Sequence, residues 1–127
     1  MALPASLLSD IEQLRTEGRT VQVVEDGARF YVVFTGYCLR ADLYVPSVTD
    51  LMVMTDYQYP VSRLDMFWTD PPVRRLDGSW PQNAELFEEY AGRRWQRWSW
   101  HYPQWDPSRH SIRTHLEVVC DRLARGT

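Results

Sequence analysis

Apolar residues recur at helical spacing near the two ends of this chain and alternate like β-strands between them, a pattern that restricts the fold to a sheet with terminal helices. Leu7, Leu8, Ile11 and Leu14 make the first helical stripe, with Pro4 and Ser6 suited to its start and Gly18 to its end. Val21 and Val23 then alternate with polar residues, Asp26-Gly27 is a strong hairpin turn, and Arg29 to Phe34 is rich in aromatic and β-branched residues. A connection through Ala41 to Val45 ends in Pro46. Leu51 to Met54, within Asp50 to Tyr57, reads as a third strand stopped by Tyr59-Pro60, and Leu64 to Thr69 as a fourth closed by Asp70-Pro71-Pro72. Val73 to Gly92 is polar and turn-rich, a long surface excursion in which Glu85 to Tyr90 suits a helical turn. Asp106-Pro107-Ser108 then suits a helix start, and Ile112, Leu116, Val119, Cys120 and Leu123 mark one apolar face. The expected architecture is α+β: an N-terminal helix, a four-stranded antiparallel meander, a long irregular segment and a C-terminal helix.

The bounds of the chain exclude several functions. Its 127 residues fit one domain, burying roughly two-thirds of the unfolded surface, with no room for a second. A net charge of −3 with 44% hydrophobic residues argues against disorder and against a general binder of nucleic-acid backbone. No apolar run reaches the roughly 20 residues that span a bilayer, and no signal core opens the chain. A cytoplasmic protein without membrane contact is expected. Cys38 and Cys120 are too few for a disulfide framework, fall in segments that read as buried, and have no neighbouring His or basic group that would mark them as reactive. His101, His110 and His115 match no familiar metal-ligand spacing, so neither metal nor cofactor is expected. His115 reads as a satisfied boundary histidine on the last helix.

Arg93 to Trp105 concentrates four of the six tryptophans and one Ser-x-His pair. Tryptophan has a large apolar body and one N–H that wants a partner, so such a cluster either anchors a core or builds a binding surface. Alternation divides Trp95, Trp98, Trp100 and Trp105 between the two, with Trp98 and Trp100 candidates for an interface. All fourteen basic residues are arginine. Arg93, Arg94 and Arg97 are candidates to steer an acidic partner, against the plainer reading of a solvated rim.

Tyr59-Pro60, Asp65-Met66-Phe67-Trp68, the Trp-Gln-Arg-Trp-Ser-x-His segment, Trp105-Asp106-Pro107 and His110-Ser111-Ile112, taken in order, resemble the ubiquitin-conjugating enzyme superfamily, and in particular a prokaryotic branch of it. The likeness is clearest from Asp50 to Leu123. It implies a UBC-like fold and a protein that accepts a ubiquitin-like protein from an adenylating activating enzyme and passes it to protein targets, with no cofactor. It also implies that the N-terminal helix and following hairpin dock the activating enzyme. The superfamily's catalytic cysteine is missing: its usual offset, eight residues before Trp105, falls on Arg97, with Ser99 two further on.

A serine there changes the chemistry. Its hydroxyl is a far weaker nucleophile than a thiolate, needs a base, and forms an oxyester in place of a thioester. His101 is the base candidate, since residues two apart in an extended segment share a face. Asp65, Asp70 or Asp106 is left to orient its imidazole. Asn83, the only asparagine, is placed by the same resemblance as a candidate to steady an oxyanion. Absence of lysine would spare such a protein self-modification. The alternative is a catalytically silent UBC-like module that binds or scaffolds a ubiquitin-like protein. A further option from the exposed-tryptophan reading is a stacking surface for carbohydrate or bases.

Overall fold

The computed structural model describes residues 3–101 and 104–127. In chain order its elements are α1 (Ala5–Thr16), β1 (Val21–Asp26), β2 (Arg29–Cys38), β3 (Tyr44–Val45), β4 (Val48–Asp56), β5 (Phe67–Asp70), β6 (Arg74–Arg75), β7 (Leu86–Tyr90), β8 (Arg93–Trp98) and α2 (Ile112–Ala124). The expected four-stranded meander is present as β1-β2-β4-β5, and the β7-β8 hairpin extends it to six strands in the order β1-β2-β4-β5-β8-β7. The short β3 and β6 pair separately. All pairings are antiparallel. No described helix is long and apolar enough to cross a membrane.

Two segments differ in detail from their sequence pattern. Within Glu85 to Tyr90, Leu86–Tyr90 is strand: Glu88 pairs with Trp95 and Leu86 with Arg97, so cross-strand partners override the local helical preference of glutamate. The turn at Asp106 to Ser108 precedes α2, which begins after Ser111, whose N–H is received by the Thr114 hydroxyl at 2.9 Å. On α2 the buried face is Ile112, His115, Leu116, Val119, Arg122 and Leu123, whereas Cys120 is exposed. Cys38 is exposed as well, at the end of β2 beyond the register shift between Phe34 and Tyr37. Both thiols are therefore on the surface and not in the core, because neither lies on the inward face of its element.

Strand alternation divides the core between the two sheet faces. Phe30, Val32, Phe34, Leu51, Val53, Phe67 and Trp98 face the helices and meet Leu7, Ile11, Leu14, Ile112, Leu116 and Val119. Tyr31, Val33, Met52, Trp68 and Trp95 form a smaller cluster on the other face. Tyr59 joins both helices to the sheet, with its hydroxyl donating to Asp10 Oδ2 at 2.5 Å and accepting the Ile112 N–H at 2.8 Å. Burial, and then the Asp10 bond, push its pKa above the ordinary tyrosine value, so it stays protonated. Tyr59→Phe orphans a buried N–H at the start of α2 and is expected to lower stability by about 1–3 kcal/mol, read from urea midpoints at unchanged m.

Candidate functional site

β8 ends at Trp98, and the chain that leaves it carries both Ser99 and His101. What holds this exit in place is Gln96, fully buried on the helix-facing side of β8. Its Oε1 accepts the Thr69 hydroxyl at 2.8 Å and the Val73 N–H at 2.7 Å, while its Nε2 donates to Val73 O at 2.9 Å and Ala84 O at 2.8 Å. Trp98 Nε1 donates to the same Thr69 hydroxyl at 3.0 Å. One amide thereby ties β5, β8 and the loop before β7 together at the level of Asn83.

Asn83, with a positive φ of 61°, lies beside the exit, and its carbonyl accepts the Ser99 N–H at 2.9 Å. Gln82 O receives both the Trp100 indole N–H at 3.0 Å and Arg122 Nη2 at 3.2 Å, so α2 anchors the turn that carries Asn83. The Arg122 guanidinium lies over the Trp100 ring at 3.9 Å, and burial lowers its pKa from the ordinary arginine value.

Opposite this, Met66 adopts the left-handed region at φ 57°, a conformation costing a methionine about 1–2 kcal/mol. Both its main-chain groups are held. Its N–H donates to Trp100 O at 3.0 Å, and its carbonyl takes a bond of 2.9 Å from His115 Nε2. Asp65, immediately before it, meets His101 Nδ1 at 2.7 Å. A carboxylate only accepts, so Nδ1 carries a proton, and in the neutral tautomer with that proton Nε2 is the base. His101 is exposed, and with Trp100, Arg122 and Arg125 it borders a groove of about 400 Å3 along α2.

Ser99 has a different neighbour. Its Oγ accepts Arg97 Nε at 3.0 Å, and Arg97 is paired through Nη1 with Glu88 at 3.1 Å. Burial works against ionisation of Glu88, but bonds from Trp68 and Tyr90 and the Arg97 charge together hold its carboxyl below the ordinary range. Among the described contacts Ser99 Oγ and the His101 ring share no hydrogen bond, because Ser99 follows Arg97 onto the helix-free face while His101 turns to Asp65.

The remaining candidates separate clearly. Asp70 binds Arg93 Nε at 3.0 Å, and Arg93 reaches Asp50 at 3.0 Å, so that pair braces the sheet away from His101. Asp106 accepts from Ser108 N–H and hydroxyl in the turn before α2 and does not orient His101. Arg94 is exposed and stacks on Phe87 at 4.2 Å. Trp98 is fully buried and so belongs to the core and not to an interface, whereas Trp100 is half-buried at the groove. All four indole N–H groups of the segment have hydrogen-bond acceptors, Trp95 and Trp98 lie in the core, and Trp100 and Trp105 remain partly exposed. His110 Nδ1 accepts the Asp106 N–H at 2.8 Å, and no three metal-ligating side chains converge among the described residues.

His115 couples this region to pH. Burial holds its pKa below the ordinary histidine value, against the opposing bond to Met66 O and the charge of Asp65. The folded state thus prefers the neutral ring, and the unfolded chain binds a proton first as pH falls. This contribution to stability is fully present above about pH 6.5 and is lost as pH drops from there toward the lower folded pKa. Urea midpoints should fall across that window, and His115→Gln, whose amide also reaches Met66 O, should flatten the slope.

Residues 7–126 match the family model described as Prokaryotic E2 family E. Neither a curated protein nor a solved structure matches the chain.

Proposed function

Because the chain belongs to prokaryotic E2 family E, we propose that it carries a ubiquitin-like protein as an acyl group on Ser99, with His101 as the base, Asp65 as its positioning partner and Asn83 beside the reacting carbonyl. Membership ties the chain to ubiquitin-like conjugation in general. The observation that supports the finer reading is that Asn83 O holds the Ser99 N–H while Asp65 holds His101, two residues further on, at the exit of β8.

The chemistry runs in two halves. Ser99 Oγ attacks the partner's C-terminal carbonyl, activated by an adenylating enzyme; the hydroxyl proton passes to His101 Nε2 and the activating group departs. A target amine then attacks the ester carbon, the bond from that carbon to Ser99 Oγ breaks, and His101 returns a proton to Oγ while taking one from the amine nitrogen. Arg97 supports this by donating to Oγ, which leaves the O–H free to rotate and stabilises developing negative charge on oxygen. Catalytic hydrogen bonds commonly shorten only when substrate is bound, so nucleophile and base meet when the partner's tail fills the groove beside His101.

Wild-type protein incubated with a ubiquitin-like protein, its activating enzyme and ATP should form an adduct that hydroxylamine cleaves and thiols do not. Ser99→Ala should lose it. A second reading, a non-catalytic module that binds the ubiquitin-like protein, is favoured by one observation: Ser99 Oγ is engaged by Arg97, with no described bond to His101. Measured affinity with no covalent adduct under the same conditions would select it.

A further inference from the structure

The two cysteines come from distant parts of the chain, Cys38 at the end of β2 and Cys120 on the outer side of α2, yet they line the same two cavities. The smaller, of about 80 Å3, is bounded by both cysteines with Tyr37, Leu39 and Leu123. The larger, of about 410 Å3, is bounded by both cysteines with Arg19 and Tyr37 and opens to solvent. Tyr37 lines both cavities with them: burial raises the pKa of its hydroxyl first, then Cys120, with Cys38 adding to it against Arg19, so both sulfurs act on one hydroxyl. Both thiols are free and exposed.

We propose that Cys38 and Cys120 form a dithiol modification site that closes to an internal disulfide by exchange with a small-molecule disulfide. One thiolate attacks the small disulfide, forming a mixed disulfide on the protein and releasing one small thiol. The second thiolate then attacks the protein sulfur, forming the Cys38–Cys120 bond and releasing the other. Two protein thiols are oxidised, one small disulfide is reduced to two thiols, and the cleft lets the reagent in. The bond fastens the end of β2 to α2. Nothing in this depends on the chemistry at Ser99.

The native full-length chain, held dilute with oxidised glutathione, tests it by intact mass and a non-reducing peptide map. The expected product has lost two hydrogens, retains no glutathione and yields a peptide linking Cys38 to Cys120. Closing so long a loop should raise the melting temperature by roughly 10 °C. Cys38→Ser and Cys120→Ser should each stop at a single mixed disulfide, which separates resolution by the second thiol from mere exposure. Wild-type protein that keeps one or two glutathiones without the linked peptide, that links only between molecules, or that does not react would overturn the proposal.

Discussion

Gln96→Leu is expected to lower the stability of this domain by about 4 kcal/mol, a large share of the roughly 5–15 kcal/mol typical of a single domain. Leucine matches the volume of glutamine closely enough to leave packing nearly intact, so the loss comes from polar groups. The Thr69 hydroxyl, the Val73 N–H and the carbonyls of Val73 and Ala84 would all stay buried while losing their Gln96 partner. Each unmet group costs about 1–3 kcal/mol, offset where relaxation admits water. Gln96→Glu is the sharper comparison: it keeps the two bonds to Oε1 but sets a carboxylate oxygen against two carbonyls, and should be at least as damaging. Urea unfolding of the three proteins reads the effect. Because Ala84 adjoins Asn83, the Asn83–Ser99 main-chain bond should loosen with it, seen as faster amide exchange at Ser99.

His101→Gln is expected to slow acyl transfer by about 10²–10⁴-fold while leaving affinity for the ubiquitin-like partner unchanged, since a general base contributes about that much and the exposed ring carries little packing. Asp65→Asn should retain geometry yet cost a substantial part of the same rate, because an amide no longer selects the Nδ1–H tautomer through charge. The pair should be far from additive: once His101 is gone, Asp65 has nothing to orient. Single-turnover adduct formation, measured beside partner binding, separates loss of chemistry from loss of docking. Equal effects of the two substitutions that sum in the double variant would mean that the carboxylate acts elsewhere.

Much of this arrangement is written locally in the sequence, and the part that is not has an identifiable cause. The first helix, the Asp26-Gly27 hairpin, the third and fourth strands and the last helix follow from short-range periodicity and turn chemistry, although β5 begins at Phe67 and not Leu64, and α2 at Ile112 and not at the Asp106-Pro107-Ser108 turn. β7 does not, because its five residues acquire strand geometry from β8 and not from their own preference. Arg122 sits at a position of α2 that polarity alone assigns to solvent, and His115 at one that reads as a satisfied boundary. They are buried because Trp100 offers one an aromatic face and Met66 offers the other a carbonyl. Ser99 and His101 are legible as a pair two residues apart, and an extended segment would give them one shared face. The chain leaves the sheet after Trp98, and the two side chains part. Asp65 was one of three equivalent aspartates by sequence. Only the Met66–Trp100 main-chain bond, which closes β5 against the exit of β8, brings it to His101. Asn83 is sixteen residues from Ser99 and meets it through the register of the β7-β8 hairpin, a signal no local window contains.

The most direct test of the central claim is to locate the acyl group on the protein. After reaction with an activated ubiquitin-like partner and digestion at arginine, mass spectrometry should find the partner's C-terminal remnant as an ester on Ser99, in the peptide that follows Arg97. A remnant on any other side chain, or a tight complex carrying no covalent remnant, would contradict it.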